Sequence, residues 1–290
     1  MKLRTRGEMI FEWFNYGLLS LIILACLIPV LNIAAKSLSD EASVMAGEVL
    51  IWPVHFTTGA YDIVLGSQKF LTSFRNSVFI TIAGTLINVL LTVCTGYALS
   101  RSRLKGQKTI MMLYVFTMLF SAGIIPTYLI VKSAGLVNSL WALIIPGLVS
   151  PFNMIIVRLY FMNLPDSLEE SGKIDGASNI RILASIMVPL AMPVIATIAL
   201  FCAVEYWNSY FEALMYINNA KLLPLQVFLR EMILNASDAS NNVDMLSQVN
   251  VSTESIRGAT VVAATLPIVL VYPFLQRFFV KGVVLGAVKG

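Results

Sequence analysis

The chain carries very little charge. Only 12% of its 290 residues are Asp, Glu, Lys or Arg, whereas 58% are hydrophobic. A soluble domain contains about 25% charged residues, because its surface must stay hydrated. The composition therefore excludes an ordinary soluble domain and predicts an integral membrane protein.

Histidine and cysteine are also scarce. His55 is the single histidine, which excludes a metal site built on several histidines. Cys26, Cys94 and Cys202 lie in apolar stretches at spacings that fit no metal site, so we interpret them as small buried side chains. The phosphate-binding loop G-x-x-x-x-G-K-[ST] and the other catalytic signatures are missing. We therefore expect a non-catalytic chain that binds no metal.

Six charge-free windows are long enough for a helix to cross the membrane, since about 20 residues cross roughly 30 Å of hydrocarbon. The strands of an outer-membrane barrel would instead give short segments of alternating hydrophobicity. The sequence thus predicts an all-α integral membrane protein in which residues 1–290 form one transmembrane domain. The predicted spans are residues 13–35, 76–100, 109–131, 137–160, 188–213 and 258–280.

The distribution of Lys and Arg predicts the orientation of these spans. If the N-terminus is cytoplasmic, 13 of the 20 basic residues fall on the cytoplasmic side. Because basic loops stay in the cytoplasm, this bias places both termini there. Residues 163–187 then form a long cytoplasmic loop, and residues 36–75 and 216–257 form two external loops.

The cytoplasmic loop carries signals for two short helices joined by a turn. Pro165 ends the fourth span. Ser167 and Glu170 fit a capping box, in which both side chains bond backbone N–H groups at the start of a helix. Asp175 and Gly176 predict a tight turn, because Gly takes positive φ readily. A second short helix is expected between that turn and the fifth span.

The motif in this loop resembles a known signature. The sequence E-S-G-K-I-D-G-A at residues 170–177, followed by V-P-L at residues 188–190, is similar to the E-A-A-x-x-D-G-A signature of permease subunits of bacterial ATP-binding-cassette importers. In that family the loop forms a coupling helix that sits in a groove of the ATPase subunit. The chain departs from the signature where two alanines become serine and glycine, and the glycine costs about 1 kcal/mol of helix propensity. The resemblance gives the coupling role to Glu170, Ser171, Gly172, Asp175, Gly176, Ala177 and Pro189.

Other segments extend the resemblance over most of the chain. N-M-I-I-V-R-L-Y-F at residues 153–161, W-N-S-Y-F-E-A-L at residues 207–214 and the ending G-A-V-K-G look like carbohydrate-importer permeases. The similarity is greatest to the maltose-type second permease, in the branch handling oligosaccharides or polysaccharide fragments. It implies a type I importer fold in the bacterial cytoplasmic membrane. It also implies a second, different permease, two ATPase subunits that bind ATP and Mg²⁺, and an extracytoplasmic sugar-binding protein, with no cofactor on this chain.

The fifth span contains the candidate substrate residues. Ionisable side chains at membrane depth usually face a bundle interior or a water-filled cavity. Aromatic faces and amide or carboxylate groups are suited to sugars, which makes Glu205, Trp207, Asn208 and Tyr210 candidates for the substrate pathway. The alternative is that the aromatic residues form an interfacial belt and that Glu205 is a structural partner of another helix. Asn88 and Asn153, in other spans, are interpreted as interhelical hydrogen-bond sites.

Two other functions stay open from the sequence. A self-contained, ion-coupled secondary transporter usually carries ionisable residues within its spans, and here these windows are almost free of charge outside the region of Glu205. A permease of the same importer class for a non-sugar solute is the second alternative.

Overall fold

The computed structural model describes residues 6–120, 122–238 and 252–287, and these residues are mainly helical. Helices satisfy every backbone polar group within one segment, which hydrocarbon requires. Within the described residues the only β pairing is a single bridge between Ser39 and Phe56. The all-α prediction is confirmed. The helices are α1 (Arg6–Ser37), α2 (Glu41–Met45), α3 (Gly59–Gly66), α4 (Gln68–Ser100), α5 (Gln107–Leu119), α6 (Ile124–Ser133), α7 (Pro151–Met162), α8 (Ser167–Ile174), α9 (Asn179–Ile182), α10 (Val188–Leu190), α11 (Met192–Trp207), α12 (Phe211–Tyr216), α13 (Leu225–Asp238) and α14 (Thr253–Ala287).

Three single helices of the described residues are long and apolar enough to cross a membrane, and the number rises to six if each of three bent helix pairs is one span. The single helices lie in α1, α4 and α14. The bent pairs are α5 with α6, Leu140–Gly147 with α7, and Asn179–Leu190 with α11. Each predicted window overlaps one of these elements. That every bent pair forms one crossing stays a prediction.

Prolines lie close to the breaks in the bent pairs. Pro151 occupies the first turn of α7, and Pro193 occupies the first turn of α11. Proline fits the first turn of a helix because the N–H that it lacks has no intrahelical partner there. The two pairs bend by 48° and 84°, respectively. By contrast, Pro267 and Pro273 lie inside α14.

The chain divides into two compact units, and the first comprises residues 1–71 and 229–266. In this unit a β-carbon added to Gly258 would lie 2.9 Å from the Ile33 carbonyl oxygen, so α14 approaches the backbone of α1 closely. The Ser37 and Tyr61 hydroxyl groups are 2.8 Å apart. The predicted external loop 36–75 therefore contains ordered helices, namely α2, α3 and the start of α4. The second predicted external loop contains α13, and residues 239–251 lie outside the described part of the chain.

The second unit comprises residues 72–228 and 267–290. Small residues let α4 approach its neighbours: a β-carbon on Gly84 would meet the Tyr206 ring at 2.8 Å, and one on Gly96 would meet Val157 at 2.9 Å. Such glycines are frequent where membrane helices pack, because close backbone approach increases van der Waals contact. The most deeply buried large side chains of this unit include Ile80, Ile144, Met154, Phe161, Ile182, Met187, Ile198 and Leu225.

Polar residues inside the second unit form hydrogen bonds between helical segments. The Asn88 side-chain amide donates to the Gly147 carbonyl at 3.0 Å and accepts from the Thr92 hydroxyl at 3.1 Å. The Asn153 amide donates to Cys202 Sγ at 3.6 Å. The predicted interhelical role of both asparagines is confirmed.

The prediction for the cysteines is correct only in part. Cys202 is buried, whereas Cys26 and Cys94 are exposed on α1 and α4. A small, weakly polar side chain is equally compatible with an outward-facing position on an apolar helix, because lipid tails are as apolar as a protein interior. An apolar sequence window therefore does not distinguish these two environments.

Candidate functional site

The predicted coupling loop folds as a helical hairpin, which we define as residues 167–187. It comprises α8, a turn, α9 and a π-helical segment at Leu183–Met187. Gly176 has a φ of +74°, and its N–H donates to the Lys173 carbonyl at 3.0 Å, while the Ala177 N–H donates to the Gly172 carbonyl at 2.9 Å. These two bonds form a Schellman motif, which satisfies carbonyl groups at a helix end. The predicted turn is confirmed.

The predicted capping box is wrong. The helix α8 is preceded by Asp166 as its N-terminal capping residue, which has helical φ and ψ of −63° and −26°. The Glu169 and Glu170 N–H groups donate to the Asp166 carbonyl, at 3.0 and 3.1 Å, so the helical turn begins one residue earlier than expected. The Asp166 carboxylate instead accepts a hydrogen bond from Arg101 at 3.2 Å.

The structure explains glycine at position 172. Gly172 is buried where α8 packs on the returning helix, and an added β-carbon would lie 3.1 Å from both Ile182 Cγ1 and Ile186 Cδ1. These distances are short, so the absence of a side chain at position 172 allows α8 and the returning helix, the two arms of the hairpin, to pack closely. Ser171 is exposed, and its hydroxyl donates to the Leu168 carbonyl at 3.1 Å.

The hairpin exposes a mixed polar and apolar surface. Ile174 and Ile180 are 86% and 80% exposed, and sequence reasoning did not single them out. The signal that could have found them is two isoleucines within an otherwise polar insert. Exposed apolar side chains of this kind often mark interaction sites. Of the seven predicted coupling residues, Glu170, Ser171, Asp175, Gly176 and Pro189 are exposed, Ala177 is half-buried and Gly172 is buried.

Beneath that surface lies an ion-pair cluster that sequence reasoning missed. The Glu169 carboxylate forms ion pairs with Arg101, whose Nε lies 2.9 Å away, and with Lys173, whose Nζ lies 2.6 Å away, and it also contacts Arg103. Burial lowers the pKa of Lys173, and the nearby Arg103 and Arg101 guanidinium groups lower it further. Arg101 and Arg103 come from the short segment between α4 and α5, which the sequence also assigned to the cytoplasmic side.

A cavity of about 350 Å³ lies next to the end of α11. We call it the acidic cavity, because Glu205 and Glu212 line it and none of its described lining residues is Lys or Arg. Residues 205, 209, 212 and 216 all line it. Their 3–4 residue spacing is a sequence signal that could have identified this set, although α11 ends at Trp207 and α12 begins at Phe211, so they do not lie on one continuous helix. Further lining residues include Thr127, Gly147, Tyr206, Phe211 and Met215.

The structure separates the other predicted pathway residues from this cavity. Trp207 is buried, packs edge-on against Phe74 at 6.0 Å, and lines a different, apolar cavity of about 200 Å³. Asn208 is exposed, donates to the Val204 carbonyl at 2.8 Å and accepts from Gln226 at 3.3 Å. Tyr210 is half-buried at the start of α12. Of the four predicted residues, only Glu205 lines the acidic cavity.

The chain is similar to proteins of a known family. Residues 93–285 match the family described as "Binding-protein-dependent transport system inner membrane component". The chain is 41% identical to the polygalacturonan/rhamnogalacturonan transport system permease protein YtcP of Bacillus subtilis (strain 168), over 97% of this chain and 99% of that protein. It is 29% identical to the galactooligosaccharides transport system permease protein GanQ of the same organism, over 96% and 95%.

A solved structure resembles the whole fold. It is a chain of a bacterial ABC transporter involved in the import of the acidic polysaccharide alginate, with a TM-score of 0.91 and 34% sequence identity. The alignment covers 96% of this chain and 100% of that chain. The similarity therefore includes the coupling hairpin and the region of the acidic cavity.

Proposed function

Because this chain belongs to the family of inner membrane components of binding-protein-dependent transport systems, we propose that it is the permease subunit of an ATP-driven importer for oligosaccharides or polysaccharide fragments. The observation that carries this proposal is the exposed hairpin of residues 167–187, which projects a capped, tightly turned helix from an apolar helical protein. A loop without a docking partner would not need such an ordered, partly apolar surface.

The acidic cavity supports a carbohydrate as the substrate. Two buried aromatic residues, Tyr206 and Tyr216, line this cavity, and Tyr216 is stacked on Tyr128 with a centroid distance of 6.2 Å. Glu205, Glu212 and Ser209 offer acceptors for sugar hydroxyl groups. Sites that combine apolar surface with a few convergent polar groups are typical for small ligands. The named substrates of the similar permeases and of the similar importer are carbohydrates as well.

The chain needs partners for this function. We propose a second, different permease, two ATPase subunits that bind ATP and Mg²⁺, and an extracytoplasmic binding protein that delivers the sugar. In this scheme the present chain is non-catalytic and binds no cofactor or metal. ATP hydrolysis on the ATPase subunits moves the hairpin, and the membrane helices alternate between two conformations. A ligand can shift such an equilibrium only through contacts that differ between the two states.

The proposed orientation places both termini in the cytoplasm. The bias of Lys and Arg supports this orientation. Contacts between loops support the grouping of segments on one side of the membrane, but an inverted chain would make the same contacts. Arg101 and Asp166, from two predicted internal segments, form an ion pair at 3.2 Å. Asn138, at the start of the predicted span 137–160, accepts hydrogen bonds at 2.6 and 3.1 Å from the N–H groups of Asn218 and Asn219, which belong to the predicted external loop 216–257.

Reconstitution with the partner subunits tests the proposal. Gly176→Pro cannot keep the φ of +74° on which the turn depends, and Asp175→Lys reverses an exposed charge beside it. We expect both variants to lose sugar-stimulated ATP hydrolysis and sugar uptake, while Ser133→Ala, a change of an exposed serine outside the hairpin, retains both. Size-exclusion chromatography checks assembly.

Two outcomes would contradict the proposal. Full sugar-stimulated activity in both Gly176→Pro and Asp175→Lys would remove the coupling role of the hairpin. Sugar uptake by this chain alone, driven by an ion gradient without ATPase subunits, would instead identify a secondary transporter.

A further inference from the structure

The buried carboxylate of Glu169 joins two cytoplasmic-side segments of the chain. We propose that Glu169 is a positioning residue that fixes the coupling helix α8 to the loop between α4 and α5, so that α8 and the membrane helices move together. This inference rests on the proposed coupling function. It concerns a residue outside the seven that the signature assigned.

Glu169 lies on the inner face of α8. It is 3% exposed, whereas its neighbour Glu170 is exposed on the outer surface. Oε2 lies 2.9 Å from Arg101 Nε, and Oε1 lies 2.6 Å from Lys173 Nζ and contacts Arg103. One carboxylate therefore forms ion pairs with three cationic side chains. Two of these side chains belong to the loop after α4, and one belongs to α8 itself.

The connection continues from Arg101 into the core. The Arg101 side chain is 12% exposed, and its guanidinium carbon lies 5.0 Å from the centroid of the Tyr97 ring in α4. Tyr97 packs edge-on against Phe161 of α7 with a centroid distance of 5.6 Å. A continuous set of packed side chains therefore joins the coupling helix to two helices of the core.

The end of α4 is itself held in place. Arg158 Nε donates to the Leu99 carbonyl at 2.8 Å, and the Gln107 side-chain amide donates to the same carbonyl. These bonds restrict the segment from which Arg101 and Arg103 extend. A displacement of α8 would thus be passed to α4 through a restrained loop.

The charge balance makes the cluster depend on Glu169. Three cationic side chains, from Arg101, Arg103 and Lys173, surround one buried carboxylate. Without that carboxylate the cations repel one another, and Arg101 loses a partner within a largely buried position. Removing one partner of a buried ion pair is far more disruptive than removing an exposed pair. Asp166 also pairs with Arg101 but is 86% exposed, so it cannot replace Glu169.

The experiment compares Glu169→Gln with Glu254→Gln in the reconstituted transporter. Glu254 forms an exposed pair with Arg257 at 2.8 Å and serves as the matched control. The readouts are the number of sugar molecules imported per ATP hydrolysed and the rate of basal ATP hydrolysis. A loss of protein alone would lower import and hydrolysis together, so it would leave the number of sugar molecules per ATP unchanged. We expect Glu169→Gln to lower sugar import per ATP by about tenfold or more, and Glu254→Gln to leave it unchanged.

A double-mutant cycle with Arg103→Gln adds the pairwise test. Since both changes remove the same contact, we expect the double variant to be no worse than Glu169→Gln alone. If Glu169→Gln does not assemble, Arg103→Gln decides, because that side chain is 59% exposed and its loss leaves no buried charge unpaired. A wild-type ratio in the variant that assembles would overturn the inference. The proposed function would still stand if Gly176→Pro and Asp175→Lys lose coupling.

Discussion

The coupling hairpin and the acidic cavity both contain glutamates, but they place them in opposite surroundings. In the hairpin, Glu169 is buried and three cationic side chains bind it. In the cavity, Glu205 and Glu212 line about 350 Å³, and the described lining residues include no Lys or Arg. A carboxylate that the protein itself neutralises holds segments together, whereas one that faces open space is free to accept hydrogen bonds from a ligand. The neighbours of a residue therefore decide its role.

The aromatic residues of the same region are all buried, but they line different cavities. Trp207 packs against Phe74 and lines the apolar cavity, while Tyr206 and Tyr216 line the acidic cavity. The comparison thus predicts that variants of the inward-packed residues reduce stability or coupling, and that variants of the cavity residues reduce sugar response.

The largest expected effect is on stability, from Trp207→Ala. Truncating a buried tryptophan costs about 3–5 kcal/mol, because packing is lost and a cavity remains. We expect a large fall in the melting temperature of the purified protein in detergent. Trp207→Phe keeps a ring against Phe74 and should restore most of the loss. If Trp207→Ala were stable but responded less to sugar, this result would support Trp207 as a residue of the substrate pathway.

The next effect is on sugar response, from Glu205→Gln and Glu212→Gln. A hydrogen bond to a charged group contributes about 1.5–3 kcal/mol, which corresponds to roughly a tenfold to hundredfold change in affinity. In each variant, we expect stimulation of ATP hydrolysis to require a correspondingly higher concentration of the sugar-loaded binding protein. The melting temperature of the variants should stay unchanged, because both side chains are exposed.

Glu169→Gln is the matched control for these cavity variants, since it makes the same chemical change in the hairpin. It should lower coupling rather than apparent sugar affinity. If the cavity variants instead reduce melting temperature and leave the sugar response intact, the two regions do not differ in the way proposed.

Local chemistry predicted several features of the molecule correctly. The turn at Asp175 and Gly176 depends on neighbouring residues alone, and it forms as expected with a positive φ at the glycine. The helical fold likewise follows from long apolar segments, which must satisfy their backbone polar groups internally. These features need no knowledge of distant contacts.

The features that sequence reasoning missed depend on distant partners or on helix geometry. The capping box failed at a position where the Asp166 carboxylate binds Arg101, a residue 65 positions away. Glu205 and Trp207 are close in the sequence, which led to their being grouped. Residues two positions apart on a helix, however, lie about 200° apart around its axis. Sequence proximity therefore grouped side chains that the helix directs to different surroundings.

The smallest expected effect concerns Gly172, where two contributions to the free energy of unfolding have opposite signs and nearly cancel. Gly172→Ala restores the residue of the resembling signature and gains about 1 kcal/mol of helix propensity. The new methyl group would lie 3.1 Å from Ile182 and Ile186, so these flexible side chains must move by a few tenths of an ångström. We expect a change in unfolding free energy within about 1 kcal/mol, measured by denaturation in detergent, and near-wild-type coupling.

Gly172→Leu provides the contrast at the same position. Its side chain cannot fit between α8 and the returning helix, so it must separate the two arms of the hairpin. Overpacking of this kind costs about 1–3 kcal/mol, and here it should also reduce sugar import per ATP. If Gly172→Leu matched Gly172→Ala in both stability and coupling, the two arms would not be in the close contact that distinguishes the hairpin from the open cavity.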